Sequence, residues 1–178
     1  MKTLSFDEGF SRMAALCSVS EHCESEIREK LQKAGMLNAD IQCLIDALYD
    51  GGYLDTARYC RAFARDKLRF AHWGRVKIQQ ALRMKGLPDS DIRKALSALD
   101  EELGDEYRSI LKEALEQKAR SLGMHLTDGC DEEAEWAAEE EDEEEGCVTS
   151  ERYARRQKLI RFAASRGFTM DEILSLLS

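Results

Sequence analysis

Three glycines with matching surroundings recur along the chain, and this repeat restricts the possible folds more than any other feature of the sequence. Gly35, Gly86 and Gly167 each follow apolar residues eight and four positions earlier, and precede apolar residues six, nine and ten positions later. Apolar positions i and i+4 lie on one stripe of a helix, and the spacing i, i+3, i+4 gives the core stripe of another. Glycine often ends a helix because it adopts the left-handed conformation. The pattern therefore predicts three helix pairs, each with a glycine at the turn.

A further helix is expected before each pair. The apolar pattern predicts it at roughly 6–17, 56–70 and 105–121, in stretches rich in Ala, Leu, Glu, Lys and Arg, which favour helix. Runs in which β-branched residues alternate with polar ones are absent from the sequence, so strands have little support. We predict an all-α fold, with three tandem three-helix repeats that form an elongated, curved helical array.

The spacing of the glycines also predicts the domain limits and an insertion. The first two glycines are 51 residues apart and the last two are 81 apart. The excess matches a segment at about 122–151, which includes eleven acidic and no basic residues between 131 and 145. Like charges repel and little apolar surface is available for burial, so we expect this insertion to be disordered. The predicted domains are repeat 1 at 5–50, repeat 2 at 51–103 and repeat 3 at 104–178.

Charge is segregated along the chain, so the net charge of −9 describes no part of it. The stretch 56–94 contains eleven Lys and Arg residues against three acidic residues, and 67–79 contains no acid. A solvated helix face is one interpretation, but such faces usually mix both signs, so we favour a surface that binds phosphates or acidic proteins. The candidate binding residues on this basic face of repeat 2 are Arg58, Arg61, Arg65, Lys67, Arg69, Arg75, Lys77, Arg83 and Lys85.

The first predicted helix of repeat 2 shows how these cations are arranged. Its four arginines are spaced 3, 4 and 4 residues apart, which at about 100° per residue places them within roughly 80° of arc. Tyr59, Phe63 and Phe70 are assigned to a different, apolar side of the same helix. The helix is thus expected to present a basic face and an aromatic face.

Catalytic and metal-binding patterns are missing from the sequence. A phosphate-binding glycine loop, a dinucleotide fingerprint, a nucleophile elbow and a His-Glu-x-x-His pair are all absent. A zinc site built from Cys17, His22, Cys23 and Cys43 matches no ordinary ligand spacing. We interpret Cys17, Cys43 and Cys60 as reduced thiols on apolar helix faces. The sequence predicts no enzymatic activity, no cofactor and no metal.

The sequence also bears on where the protein works. The N-terminus lacks the apolar stretch of a signal peptide, and no apolar run approaches the length of about 20 residues that a membrane span needs. We therefore expect a soluble, cytoplasmic protein that makes no contact with a membrane and is a monomer.

Four short motifs between residues 52 and 87 occur together in a known family. Residues 52–55 read Gly-Tyr-Leu-Asp, and 58–63 read Arg-Tyr-Cys-Arg-Ala-Phe. They are followed by Trp-Gly-Arg-Val-Lys-Ile at 73–78 and Leu-Arg-Met-Lys-Gly-Leu at 82–87. This order resembles the core signature of the RecX family. The resemblance is most specific over about 50–100 and extends over 20–50.

The resemblance implies a regulator of the RecA recombinase. It implies a helical array that, like members of this family, docks into the groove of the RecA–DNA filament. There it would modulate, and usually restrain, the ATP hydrolysis and strand exchange of RecA. The implied partners are the RecA filament and DNA within it. Two alternatives stay open: a nucleic-acid-binding helical protein that acts without RecA, and a protein-only helical scaffold. A further hypothesis is that the acidic run folds back onto the basic surface and competes with its ligand.

Overall fold

The computed structural model describes residues 4–123 and 145–177, and in the second range it describes side chains from residue 153 onward. These residues are organised in helices, without strands in the two described ranges. The all-α class is thus confirmed. The helices are α1 Phe6–Val19, α2 Glu24–Lys33, α3 Asn38–Asp50, α4 Thr56–Ala71, α5 Arg75–Met84, α6 Asp89–Ser121, α7 Glu145–Arg166 and α8 Met170–Leu177.

The three repeat glycines end helices in the same way. Gly35, Gly86 and Gly167 have positive φ angles of 81°, 79° and 89°. In each case the N–H of the next residue donates to the carbonyl five residues earlier, at 3.1, 3.3 and 3.2 Å. The glycine N–H donates to the carbonyl three residues earlier, at 3.0, 2.9 and 2.9 Å. This pair of bonds is the Schellman motif, so the predicted turn is confirmed in all three copies.

Helix α6 joins two helices that the sequence predicted as separate. It runs from Asp89 to Ser121 and departs from helical geometry at Leu103, where φ is −131° and ψ is 22°. The departure falls at the predicted limit between repeats 2 and 3, directly before Gly104. Glycine tolerates such a kink because it has no Cβ to restrict the backbone. The boundary therefore takes the form of a bend and not of a loop.

The predicted insertion at about 122–151 ends earlier in the structure than the sequence predicted. Helix α6 ends at Ser121 and α7 already begins at Glu145, so 145–151 is helical. Extending an existing helix adds one backbone hydrogen bond per residue without a new nucleation cost, which explains the earlier start. Residues 124–144 lie outside the described residues. The predicted disorder of the insertion and its predicted contact with the basic surface both concern these residues, so both stay predictions.

The described chain divides into two compact units. Unit 1 comprises the chain up to Arg65 together with Gln79–Leu99, and unit 2 comprises Asp66–Ile78 together with the residues from Asp100 onward. This division passes through α4, α5 and α6, so the three-domain scheme stays a prediction. In unit 1, α1 and α2 pack on α3. The fully buried side chains at this contact are Ile27, Leu31, Ile41, Leu44, Ile45 and Leu48.

Unit 2 has a separate core. Helix α7 packs on α8, and the rings of Tyr107 and Phe168 meet edge to face with their centroids 5.4 Å apart. Burial raises the pKa of Tyr107 to about 12, so its hydroxyl stays protonated at neutral pH. The Tyr107 hydroxyl donates to Glu172 at 3.2 Å. The other buried side chains of unit 2 include Leu111, Leu115, Leu159, Ala163 and Ile173.

The buried row of α4 differs from the predicted aromatic side. Cys60, Ala64 and Leu68 are fully buried, at the helical spacing i, i+4, i+8, whereas Phe70 is 84% exposed. The prediction that Phe70 shares a packed face with Tyr59 is therefore wrong. A helical projection gives the direction of a side chain, but it does not show whether a neighbouring helix covers that direction along the whole length. Tyr59 lies in the first turn of α4 and is buried next to Glu26 and Lys85 of unit 1. Phe70 lies in the last turn and is exposed.

The described cysteines are free thiols. Cys17 and Cys60 are buried as predicted, but Cys43 is exposed, so its predicted place on an apolar face is wrong. Cys43 falls between the buried positions of α3 and points away from them. Cys23 is buried and precedes the first residue of α2, where its N–H donates to the side chain of Glu26 at 3.4 Å.

Candidate partner-binding surface

The nine candidate cations belong to the two compact units, and each set is described by itself. The members of the first set, which we call the unit 1 group, are Arg58, Arg61, Arg65, Arg83 and Lys85. The members of the second set, the unit 2 group, are Lys67, Arg69, Arg75 and Lys77.

Lys85 is the most enclosed member of the unit 1 group. Its Nζ donates to Oε1 of Glu26 at 2.6 Å, and the hydroxyl of Tyr59 donates to the same oxygen at 3.0 Å. The other oxygen of Glu26 lies 3.0 Å from Nδ1 of His22. The ammonium group also lies 6.0 and 5.8 Å from the ring centroids of Tyr59 and Phe63. Lys85 therefore anchors the end of α5 and is not presented to a partner.

The protonation states in this cluster are fixed over a wide pH range. Burial alone raises the pKa of Glu26, but hydrogen bonds from Lys85, His22 and Tyr59 outweigh burial and hold the pKa at about 2. Burial, together with the nearby Cys23 and Glu26, raises the pKa of Tyr59. At neutral pH the carboxylate is thus charged and the phenol is neutral, which is the combination that the hydrogen bonds require.

Two further arginines of the unit 1 group are already bound within the chain. Nε of Arg58 donates to Glu21, and its Nη2 donates to two backbone carbonyls of the preceding turn at 3.2 and 3.3 Å. Nε of Arg83 donates to Asp89 at 2.8 Å. Ion pairs that remain open to solvent contribute little to stability. The phosphate or carboxylate of a partner can replace Asp89 at low cost.

Besides Arg83, the unit 1 group has two exposed members, Arg61 and Arg65. They lie four residues apart on α4, within Thr56–Ala71, as the arginine spacing predicted. Each directly follows a buried residue of the row, Cys60 or Ala64, and is itself exposed. A planar guanidinium that reaches solvent is suited to bidentate contacts with phosphate or carboxylate.

The two arginines of the unit 2 group organise their own unit. Nε and Nη2 of Arg69 donate to the two carboxylate oxygens of Glu106, at 2.7 and 2.8 Å. Arg75 donates to Asp100 at 2.7 Å and lies 3.1 Å from Glu172. The Arg75 guanidinium also lies 4.7 Å from the ring centroid of Tyr107. These cations contribute to the positive charge of 56–94 in the sequence. Their acidic partners lie outside that stretch, so the charge pattern could not reveal the ion pairs.

The two lysines of the unit 2 group meet on one aromatic ring. Nζ of Lys67 and of Lys77 lie 5.2 and 4.7 Å from the ring centroid of Trp73, within the range of cation–π attraction. Nζ of Lys77 also donates to the carbonyl of Ser165 at 3.3 Å. Trp73 was not among the predicted binding residues. The signal that points to it is an aromatic residue inside the acid-free stretch 67–79.

The first turn of α5 is fixed by direct contact between two stretches of backbone. The N–H of Gly74 donates to the carbonyl of Arg166 at 2.8 Å, and the N–H of Val76 donates to the carbonyl of Gly167 at 3.1 Å. A Cβ on Gly74 would overlap the carbonyl of Gly167, and a Cβ on Gly167 would overlap the backbone of Lys77. Amides at the start of α5 therefore bond to carbonyls at the end of α7.

Metal-binding groups and membrane-spanning helices are both absent from the described residues. Within residues 4–123 and 145–177, the acidic, His and Cys side chains form no group of three that could hold a metal ion. In the same part of the chain, no helix combines the length and the apolar character that crossing a bilayer requires.

Two family models match the chain. The second three-helix domain of RecX matches residues 55–96, and the third three-helix domain of RecX matches residues 148–177. The first range lies within predicted repeat 2 and includes all nine candidate cations. The second lies within predicted repeat 3.

Curated relatives share the same name. Regulatory protein RecX of Prosthecochloris aestuarii is 30% identical over 93 residues, which cover 52% of this chain and 62% of that protein. Regulatory protein RecX of Vibrio vulnificus is 28% identical over 163 residues, which cover 92% of this chain and 86% of that protein. The match thus spans less than two thirds of the first relative and most of the second.

Solved structures show the same fold. A crystal structure of regulatory protein RecX superimposes with a TM-score of 0.70 at 20% identity, covering 96% of this chain and 70% of the other. The crystal structure of RecX from Lactobacillus salivarius gives a TM-score of 0.67 at 16% identity, covering 97% and 94%. At these identities the likeness shows the fold alone.

Proposed function

The chain belongs to the RecX family, and we propose that it acts as a non-enzymatic regulator that binds the RecA–DNA filament in recombination and DNA repair. On this proposal the protein lowers the rate of ATP hydrolysis and strand exchange by RecA, and it binds as a monomer. The observation that carries the proposal is the match to the second RecX domain over 55–96, since that range contains the whole candidate basic surface.

The geometry supports unequal contributions from the nine candidate residues. Arg61 and Arg65 are exposed neighbours on α4 and have a large share of the proposed contact. Arg58 and Arg83 exchange their present acidic partners for groups on the filament. Lys85 and Arg75 act indirectly, because their interactions within the chain hold the ends of α5. The remaining three, Lys67, Arg69 and Lys77, contribute through unit 2.

The decisive experiment measures DNA-dependent ATP hydrolysis by RecA with increasing amounts of this protein. We expect the steady-state rate to fall, and the double variant Arg61→Glu with Arg65→Glu to require a higher concentration for the same effect. Lys30→Glu with Lys33→Glu is the matched control, because both lysines are exposed in unit 1 and the net charge changes equally. An unchanged ATPase rate and unchanged strand exchange with the wild-type protein would refute the proposal.

Salt dependence separates this proposal from the two alternatives. Direct phosphate contacts make the logarithm of the binding constant fall linearly with the logarithm of salt concentration, and loss of one contact flattens the slope by roughly one unit. We expect the double arginine variant to show the flatter slope. Binding to naked DNA without any effect on RecA indicates the nucleic-acid-binding alternative, and salt-tolerant binding to protein alone indicates the scaffold.

A further inference from the structure

Phe70 is an aromatic side chain that the fold leaves in solvent. It lies in the last turn of α4, in unit 2, and is 84% exposed. Single exposed apolar side chains are common on protein surfaces, so exposure alone indicates little. Phe70 differs in its position within the acid-free stretch 67–79, directly after Arg69 and three residues before Trp73.

The lysines of this stretch both contact a neutral aromatic ring, and Lys77 also binds a neutral carbonyl. Lys67 and Lys77 both lie against the ring of Trp73, at 5.2 and 4.7 Å from its centroid. The hydrogen bond of Lys77 goes to the carbonyl oxygen of Ser165, at 3.3 Å. Neither a ring face nor a carbonyl supplies a negative charge, so both contacts of Lys77 are compatible with binding of an anionic ligand. Trp73 acts here as a positioning residue.

The turn that connects Phe70 to Lys77 is rigid. His72 has a positive φ of 51°, and the N–H groups of His72 and Trp73 donate to the carbonyls of Leu68 and Lys67 at 3.1 and 3.0 Å. Gly74 follows, and its backbone is bonded to the end of α7. A ring and an ammonium group fixed to such a turn lose little conformational freedom when a ligand binds, which favours binding.

An aromatic ring in solvent, in the same short stretch of chain as two cations, suits an unpaired nucleic-acid strand. Every base has a flat face that stacks on an aromatic ring, and every nucleotide has a phosphate for a cation. In a duplex the base faces are covered by their neighbours, so such a ring has nothing to stack on. An acidic protein surface would satisfy the lysines but would leave Phe70 without a partner.

We propose that Phe70 stacks on an unpaired base of single-stranded DNA, and that Lys67 and Lys77, positioned by Trp73, bind the adjacent phosphates. This inference rests on the proposed function, because it names the part of the RecA–DNA filament that meets unit 2. It also adds a residue, Phe70, that is absent from the nine candidate cations.

The test measures binding of the full chain to a fluorescently labelled oligo-dT and to an abasic strand of equal length. We expect Phe70→Ala to weaken binding to oligo-dT about tenfold or more, the loss typical of one stacked base. Phe70→Tyr should bind as the wild type does. On the abasic strand, Phe70→Ala and the wild type should bind equally. Met170→Ala is the control, because Met170 is a 52% exposed apolar residue of the same unit.

Two outcomes overturn the inference: Phe70→Ala binds oligo-dT as tightly as the wild type, or it loses the same factor on both strands. Thermal unfolding of each variant verifies that the fold is intact. Parallel RecA ATPase assays separate the two proposals. If Phe70→Ala loses regulation of RecA but keeps oligo-dT binding, Phe70 contacts protein, so the inference fails and the proposed function stands. If the wild type leaves RecA unaffected but Phe70→Ala weakens binding to oligo-dT and not to the abasic strand, base stacking by Phe70 stands and the proposed function fails.

Discussion

Lys77 lies in the first turn of α5 and Lys85 directly follows its last residue, yet the two are held by different means. Lys85, in unit 1, depends on a charged group, the carboxylate of Glu26, which also binds Tyr59 and His22. Lys77, in unit 2, lies in a turn whose backbone contacts the backbone of Gly167. The contact is so close that a side chain at position 167 would not fit.

The two contacts are expected to respond to different changes, one to pH and the other to an added side-chain atom. A charged cluster weakens when its carboxylate is protonated, and it does so gradually with pH. A contact between two backbones has no ionisable group, so it is insensitive to pH but fails completely when one carbon atom is added. Variants that disturb each contact separately will show whether this distinction is real.

The largest effect is expected from Gly74→Ala. The new Cβ overlaps the carbonyl of Gly167, which is backbone and cannot move aside. We expect the free energy of unfolding to fall by about 3 kcal/mol or more, measured by urea denaturation. Gly35→Ala is the control, since Gly35 has a positive φ but open space around it, and it should cost about 1–2 kcal/mol. Equal losses would contradict the steric account of unit 2.

Glu26→Gln tests the charged cluster of unit 1. The amide keeps the shape but removes the negative charge that Lys85 and Tyr59 bind, so we expect a loss of about 1–2 kcal/mol in the same measurement. Glu29→Gln, an exposed residue paired with Lys33 on the same helix, should leave stability unchanged. A loss at Glu29 as large as that at Glu26 would show that net charge, and not the cluster, is what matters.

The pH dependence of stability should also depend on Glu26. Its pKa is lowered from the ordinary 4.5 to about 2 in the folded chain, so its contribution is complete above pH 4.5 and is lost as the pH falls toward 2. We expect urea midpoints of the wild type to fall between pH 5 and pH 2 more steeply than those of Glu26→Gln. Parallel curves for the two proteins would remove the carboxylate from this account.

The smallest effect is expected at Glu106, which binds the exposed guanidinium of Arg69. Glu106→Gln should leave the urea midpoint unchanged, because solvent-exposed ion pairs contribute little. It removes one negative charge next to Arg69, so oligo-dT binding should tighten about twofold at low salt. A large loss of stability would show that unit 2 also depends on charge, against the distinction drawn above.

The local part of this fold could be predicted from sequence. The Schellman turns at Gly35, Gly86 and Gly167 depend on residues within one helix turn, so periodicity and glycine placement were sufficient. The arginine face of α4 followed for the same reason. Phe70 was misplaced, because periodicity does not say which turn of a helix a neighbour covers, whereas Cys43 lies off the buried stripe of α3 and was assigned to it wrongly.

The parts of the candidate surface that were not foreseen depend on contacts distant in sequence. Lys85 meets Glu26 across 59 residues, and Lys77 meets Ser165 across 88. A count of charges in one stretch gives the sign of a surface but not which cations are already bound elsewhere. For this reason the enclosure of Lys85 could not be foreseen before the structure was known.

The backbone contact at Gly74 also sets an order of events during synthesis. Unit 1 has all its residues once Leu99 has left the ribosome, but Gly74 must wait for Gly167, roughly 90 residues later. At about 5–20 residues per second that interval lasts several seconds. During this time the start of α5 lacks the carbonyls that its amides bind in the finished protein. A nascent chain paused before Gly167 is therefore expected to show a protected unit 1, while Trp73 stays open to protease and quencher.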